Sequence, residues 1–140
     1  MRVKLLLTGK TNERYLREGM ALYTERIGHY VPFEVLEVTD DQILKNIRPG
    51  DHVVLLDERG QSFSSVDWAR NLEQKAAHLP KDLVFVIGGA YGFSQEQYAR
   101  GNELLSLSRM TMSHQLVRLV FLEQLYRAMT IIKGEHYHHE

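Results

Sequence analysis

A glycine-rich turn, Gly88-Gly89-Ala90-Tyr91-Gly92, follows the fully apolar segment Leu83–Ile87. Glycines after a buried strand let the backbone turn sharply and approach a ligand with no Cβ in the way, so a larger residue at Gly89 is expected to put bulk against that ligand. The alternative is a tight turn without a ligand. The G-x-G-x-x-G pattern of dinucleotide-binding folds is absent, since Thr8-Gly9-Lys10 after the first apolar run is too short to replace it.

Two further loops leave predicted strands and carry polar side chains. Leu56-Asp57-Glu58-Arg59-Gly60 ends the apolar run His52–Asp57, and Leu107 to His114 follows the last apolar run before the final helix. Ligands of parallel sheets bind outside the carboxyl ends of the strands, so these two loops and the glycine turn are the places where a ligand is expected. The first loop has a plain alternative, a solvated turn.

The carboxyl-terminal tail combines histidines with an aromatic ring. Tyr137 is suited to stacking on RNA, and the alternative is a disordered tail. A zinc site is not expected there, because no second group of ligands stands at a known spacing. The histidines of the tail are His136, His138 and His139.

Short branched apolar runs alternate with amphipathic segments, which predicts a single α/β domain over residues 1–140 with a mainly parallel sheet flanked by helices. The predicted strands are Val3–Leu7, Phe33–Val38, His52–Asp57, Leu83–Ile87 and a last strand within Leu104–Met112. The predicted helices are Asn12–Tyr30, one from Ser64 that is ended by Pro80, a short one after Ser94, and Gln115–Ile132.

Capping residues support these helices. Asn12 is expected to cap the first, and Ser113 the last. Capping boxes are predicted at the two helices between them. Their pairs are Ser64 with Asp67 and Ser94 with Gln97, and the buried face of the helix after Ser64 is predicted to be Ala69, Leu72, Ala76 and Leu79.

Composition restricts the class of protein. With 44% apolar and 25% charged residues the chain is globular, and the apolar run Val3–Leu7 is too short to span a membrane. The absence of cysteine excludes disulfides and fits a cytoplasmic protein. A net charge of −1 argues against nucleic-acid binding by bulk electrostatics, so an RNA function would need a local patch, an oligomer or recognition of shape.

The final helix is apolar over most of its circumference, which indicates burial on more than one side and favours a homodimer in a domain of this size. Arg118 and Arg127 interrupt it, and each is either a partnered interface residue or a substrate contact. The apolar residues are Leu116, Val117, Leu119, Val120, Phe121, Leu122, Leu125, Met129 and Ile132.

Several segments together resemble one family over nearly the whole chain. They are VKLLLTGK, LLDERGQSFSS, VFVIGGAYGFS, LSLSRMTMSHQLVRLVFLEQLYRAMTII and YHHE. The chain is similar to the ribosomal large-subunit pseudouridine N3-methyltransferases, small SPOUT-class enzymes. This resemblance implies a C-terminal trefoil knot, a homodimer and bent S-adenosyl-L-methionine (SAM) held by the knot loops. One departure is the segment 39–51, which is shorter than the family's and lacks its helix.

The resemblance also implies roles for residues. Near the methyl group and the target base it places His114 with the tail residues Tyr137, His138 and His139, although the family often has arginine at the position of His139. The cofactor-binding residues that it implies are Leu56, Gly88, Gly89, Leu107, Ser108, Arg109, Met110, Thr111, Met112 and Ser113.

The expected reaction transfers the SAM methyl group to N3 of a pseudouridine in 23S rRNA of the ribosome, with no metal and no membrane. His114 either accepts the N3 proton or only orients its loop. In a dimer, the tail of one subunit could reach the cavity of the other. The alternatives are a SPOUT methyltransferase acting on another RNA such as tRNA, and a non-enzymatic nucleotide-binding or RNA-binding module.

Overall fold

The computed structural model describes residues 1–79 and 81–139. Its strands are β1 (Val3–Thr8), β2 (Phe33–Val38), β3 (His52–Ser62), β4 (Leu83–Ile87) and β5 (Glu103–Ser106). Its helices are α1 (Arg14–Gly28), α2 (Ser65–His78), α3 (Gln95–Arg100) and α4 (Leu116–Ile132). All described strand pairs are parallel and the order is β2-β1-β4-β3-β5, so the prediction of a parallel α/β sheet flanked by helices is confirmed.

β4 lies at the centre of the sheet, and all of its side chains are buried. A strand that is apolar at every position fits a sheet that is covered on both faces. Alternate residues supply the two faces: Phe85 packs with residues of α1, α2 and α4, while Val84 and Val86 belong to the core on the other side. The same alternation in β1 separates Leu5 from Leu6.

α4 packs against both α1 and α2 on the first face. It approaches α1 closely at Gly19, where an added Cβ would lie 2.9 Å from Leu119 Cδ1. On its other side, Trp68 of α2 and Phe121 of α4 meet edge to face with centroids 6.1 Å apart. Within one chain these contacts bury Phe121, Leu122, Leu125 and Met129, whereas Leu116 stays exposed and the other large apolar residues of the helix are partly exposed.

The second face has a thinner cover, made by α3 and by the segment 39–51 that connects β2 to β3. Two short 3-10 helices, Asp40–Gln42 and Leu44–Asn46, replace an α-helix there. Ile43 is the residue of this connection that enters the core, against Leu6 and Val84 among others. Gln97 ties the connection to α3 by donating from Nε2 to the Asp40 side chain at 3.1 Å.

The predicted caps of α2 and α3 are confirmed. Ser64 Oγ accepts the backbone N–H of Asp67, and both bonds of the Ser94–Gln97 capping box are present. α2 ends at His78, and Pro80, which was predicted to end it, lies outside the described residues.

The predicted cap at the start of α1 is wrong. Glu13 is the N-cap residue and makes no side-chain cap bond. The backbone N–H of Asn12 donates instead to Gln115 Oε1 at 2.8 Å, because this segment lies against the start of α4. Ser113 Oγ accepts the Leu116 N–H at 3.0 Å, although the N-cap residue of α4 is Gln115, which makes no side-chain cap bond.

One further boundary and one buried position differ from prediction. β3 continues past Asp57 to Ser62, because after a bulge Ser62 pairs with Ser106 of β5. Gly60 lies in this bulge, where an added Cβ would stand 2.5 Å from the backbone carbon of Leu104. In α2 the prediction of a buried Ala76 is wrong.

Candidate functional site

A cavity of about 480 Å³ opens at the carboxyl ends of β3, β4 and β5. Its walls are the segment Leu56–Arg59, which bulges out of β3 where the pairing with β4 ends, and the loops after β4 and β5. His114 and Val117 at the start of α4 complete them. The three loops that the sequence singled out therefore lie together, as expected where parallel strands end at one edge of a sheet.

The structure brings most of the sequence-predicted site residues into this cavity. His114 lines it, whereas Arg109 is exposed and does not. The other lining residues predicted for the cofactor are Leu56, Gly88, Gly89, Leu107, Ser108, Met110, Thr111, Met112 and Ser113.

Tyr98 is a lining residue that the sequence reasoning missed. Its hydroxyl donates to Asp57 and accepts from Arg59 Nη2 at 2.5 Å, and the Arg59 guanidinium stacks 5.2 Å from its ring centroid. Burial alone would raise the pKa of Asp57, but the hydrogen bonds from Arg59 and Tyr98 outweigh it and the pKa is lowered. Tyr98 lies one turn into the capped helix that follows the glycine turn, and this position in the sequence could have indicated that it lies near the cavity.

Hydrogen bonds connect the loops to one another. Thr111 Oγ1 donates to Glu58 Oε2 at 2.9 Å, which joins the loop after β5 to the bulge of β3. Within the former, Ser108 Oγ accepts the Met110 N–H at 2.9 Å and Ser106 Oγ donates to the Ser108 carbonyl at 2.9 Å. The small polar residues of this loop therefore hold its own backbone in shape.

Arg118 lies behind the cavity, with its side chain fully buried. Its Nε donates to the His114 carbonyl at 3.2 Å, and its Nη2 donates to the Thr8 carbonyl at 2.7 Å. Burial lowers the pKa of Arg118, with partial compensation by Glu37 at 3.6 Å. Both sequence interpretations of this residue, an interface residue and a substrate contact, are wrong, because its partners belong to the interior of its own chain.

The tail residues do not line the cavity. Tyr137 Oη donates to Glu123 Oε2 at 2.8 Å, and Arg127 Nη1 lies 3.0 Å from His138 Nδ1. Burial and the hydrogen bonds of Tyr137 raise the pKa of its hydroxyl. His139 is exposed, and the final Glu140 lies outside the described residues. Within one chain, His114 and the tail are therefore separate.

Over residues 1–79 and 81–139, no three His, Asp or Glu side chains are placed to hold a metal ion. In the same residues no helix is both long and apolar enough to cross a membrane.

Comparisons with known proteins show which family the chain belongs to. A family model described as Predicted SPOUT methyltransferase matches residues 1–138. The chain is 45% identical over 157 residues to the ribosomal RNA large subunit methyltransferase H of Parabacteroides distasonis, and 44% identical over 154 residues to that of Geobacter sp. (strain M21), with 100% of each chain covered. The chain belongs to the ribosomal RNA large subunit methyltransferase H family.

Solved structures of other SPOUT proteins share the fold. The methyltransferase AviRb from Streptomyces viridochromogenes, solved in complex with AdoMet, superposes with a TM-score of 0.52 and 10% identity over 97% of this chain and 59% of its own. A putative RNA methyltransferase of the TrmH family from Porphyromonas gingivalis superposes with a TM-score of 0.52 and 14% identity, over 89% of this chain and 59% of its own. At these identities the likeness establishes the architecture alone.

The alignments with the methyltransferase H relatives are longer than this chain of 140 residues, the first spanning 157. The relatives therefore have positions without a counterpart here. The resemblance indicated such a shortening between β2 and β3, and the structure has only 3-10 turns there.

Proposed function

We propose that this protein transfers the methyl group of SAM to N3 of a pseudouridine in 23S rRNA of the ribosome. One observation carries the proposal: a chain aligned over its full length with ribosomal RNA large subunit methyltransferase H proteins forms a cavity from three loops at the carboxyl edge of its sheet. The substrate comes from the relatives' name and from the resemblance of the late motifs.

The residues of the cavity fit SAM. Its volume lies in the usual range for ligand pockets, roughly 300–1,000 Å³. Gly88 and Gly89 offer backbone groups to an adenine, and Leu56 and Leu107 offer apolar surface. The carboxylate of Glu58 would complement the positive charges of SAM, whereas that of Asp57 is paired with Arg59.

SAM supplies a methyl group on a positively charged sulfur, which is already a good electrophile. The protein then has to orient the reacting atoms, exclude water and deal with the N3 proton. His114 is the histidine that lines the cavity, so its imidazole either accepts that proton or fixes the loop at the start of α4. A pH profile of the His114→Asn variant separates these roles, because only proton acceptance makes the loss of rate depend on pH.

The rim of the cavity offers groups suited to RNA. Tyr91 in the glycine turn is fully exposed, and Met110 in the loop after β5 is 79% exposed. An exposed aromatic ring stacks readily on an unpaired base, and the target base has to leave its stack to reach a methyl group inside the cavity. Arg109 adds an exposed positive charge in the loop after β5, whereas Arg59 is paired with Asp57, so at a net charge of −1 an RNA substrate would be recognised by shape or by an oligomer.

We also propose a homodimer in which the tail of one subunit serves the cavity of the other. The support is that His114 and Tyr137 have separate positions in one chain, although the resemblance places both near the reacting groups. Exposed apolar side chains on α1 and α4 offer surface for a partner. They are Tyr15, Leu22 and Leu116.

The remaining proposals concern chain topology: residues 1–140 form a single domain, and its carboxyl-terminal part forms the trefoil knot. Family membership supports both. If the knot is present, pulling the chain from its two ends should give a contour length shorter than that of 140 extended residues, because a closed knot cannot be drawn straight. A full contour length would refute the knot.

The decisive experiment incubates purified ribosomes that lack the modification with the protein and labelled SAM, then maps the methylated nucleotide in 23S rRNA. We expect one N3-methylated pseudouridine, and strong loss of transfer with His114→Ala. The matched control is His78→Ala, at the exposed end of α2. Methylation of tRNA alone would favour the alternative substrate. SAM binding without methylation of any RNA would contradict the proposed reaction.

A further inference from the structure

We propose that Arg118 is a positioning residue that fixes the spacing between the walls of the SAM cavity from behind. The inference rests on the proposed function, because it concerns the same cavity. Arg118 is not a lining residue of the cavity, so any effect on SAM has to pass through the segments that it connects.

The first connection is to the start of α4. Arg118 Nε donates to the carbonyl of His114, a lining residue, at 3.2 Å. The guanidinium is thereby attached to the end of the loop after β5, where the loop turns into the helix. Because the helix fixes the Arg118 backbone, the position of the guanidinium determines where the His114 carbonyl lies.

The second connection is to the loop after β1. Arg118 donates to the carbonyls of Thr8 and Gly9 at 2.7 Å and 3.0 Å, and to Thr11 Oγ1 at 2.8 Å. These partners are mostly backbone atoms, so they fix the path of the chain. The planar guanidinium spans both segments at once with N–H donors in a rigid fork, which the point charge of a lysine cannot reproduce.

The loop after β1 in turn supports the glycine turn. Thr8 Oγ1 donates to the carbonyl of Ile87 at 3.2 Å, and Thr8 Cγ2 lies 3.3 Å from the place where a Cβ on Gly89 would stand. Ile87 and Gly89 both line the cavity. Arg118 is therefore linked to two walls of the cavity, directly through His114 and indirectly through Thr8.

Gln115 makes a second, more exposed connection between the same segments. Its Nε2 donates to the Lys10 carbonyl at 3.0 Å, and its Oε1 accepts the Asn12 N–H at 2.8 Å. Truncating this side chain loosens the junction without leaving a buried charge unpaired, so Gln115→Ala probes the junction in a protein that still folds.

The test measures SAM affinity, unfolding temperature and the rate of methyl transfer at saturating SAM for wild type, Arg118→Lys and Gln115→Ala. Ile27→Val, a buried change near the far end of α1, controls for lost stability alone. We expect Arg118→Lys to raise the SAM Kd about tenfold, as for the loss of charged hydrogen bonds, and to lower the rate about 100-fold. Gln115→Ala should raise the Kd about threefold, and Ile27→Val should lower only the unfolding temperature.

A folded Arg118→Lys protein that binds SAM with the wild-type Kd would overturn the inference, because a merely structural role lowers the unfolding temperature and leaves the affinity unchanged. If Arg118→Lys does not fold, Gln115→Ala decides: weaker SAM binding supports the junction, and unchanged binding refutes it. Wild-type protein that does not bind SAM would instead refute the proposed function.

Discussion

Replacing Gly89 with alanine tests how closely the glycine turn fits against β1. An added Cβ would lie 3.3 Å from Thr8 Cγ2 and 3.7 Å from Thr8 Cβ, so its nearest neighbours are atoms of the protein. The sequence alone suggested that a larger residue here would press on the ligand. Among the atoms of the protein, its nearest contact is with Thr8.

The cost of this contact follows from two opposing effects. Gly89 does not have a positive φ, so alanine suits its backbone and stabilises the fold by about 0.4–1 kcal/mol through the unfolded chain. The tight contact costs about 1 kcal/mol as overpacking. Because these effects nearly cancel, the unfolding free energy should change little, while the turn moves by a few tenths of an ångström. We expect the SAM Kd to rise about fivefold, which corresponds to about 1 kcal/mol.

A second substitution supplies the control. Thr8→Ser removes the methyl group that the new alanine side chain would meet and keeps the hydroxyl that donates to the Ile87 carbonyl at 3.2 Å. Calorimetric titration of SAM into wild type, Gly89→Ala, Thr8→Ser and the double variant forms a double-mutant cycle. We expect the double variant to regain most of the wild-type affinity.

Two results would refute this reasoning. Wild-type affinity in Gly89→Ala would show that the turn does not need its present fit to Thr8. A double variant as weak as Gly89→Ala would show that the new methyl group acts on the ligand, as the sequence suggested.

Three further predictions address other parts of the molecule. Deleting residues 137–140 should leave SAM affinity unchanged, because Tyr137 and His138 do not line the cavity, and should lower methyl transfer to 23S rRNA about 100-fold; wild-type transfer rates would show the tail to be dispensable. Wild-type protein should sediment at twice 16.3 kDa and Leu22→Glu at a lower average mass, whereas a fully active wild-type monomer would contradict the dimer. Glu103 bonds to His52 and to Lys75 Nζ (3.0 Å). Burial alone would raise the pKa of Glu103, but these two partners outweigh it and lower the pKa below the ordinary 4.5. The ionised carboxylate therefore stabilises the fold above pH 4.5, and this stabilisation is lost as the pH falls through the lowered pKa. Denaturant titrations at about pH 6 and about pH 3 should therefore show that the free energy of unfolding falls more for wild type than for Glu103→Gln. Equal decreases would disprove the assignment.

The sequence predicted the features that depend on neighbouring residues. The apolar run of Leu83–Ile87 indicated a buried strand, and the Ser94–Gln97 pair indicated a helix start, because both signals lie within a few residues. The three ligand loops followed from the rule that places sites at the carboxyl ends of parallel strands.

Features that depend on distant pairs were not predictable from local patterns. Arg118 interrupts an apolar helix, and only the fold shows that Thr8 and Gly9 are its partners. The misplaced cap at Asn12 has the same origin, since Gln115 takes its N–H. Tyr98 lines the cavity because α3 lies beside the bulge of β3, where its hydroxyl bonds to Asp57 and Arg59.

The thin cover over the second face of the sheet gives the protein a permissive site for insertion. Between β2 and β3 Ile43 is buried in this core and Ile47 packs against it, so the connection has to supply these two apolar side chains to the face. The alignment with the Parabacteroides distasonis relative spans 157 positions against 140 residues here, so the family tolerates differences in chain length. A reporter peptide inserted beside the exposed Lys45 would sit opposite the α1–α2–α4 layer and away from the junction at Arg118. The chain therefore has a place where new sequence can be added while the cavity keeps its supports.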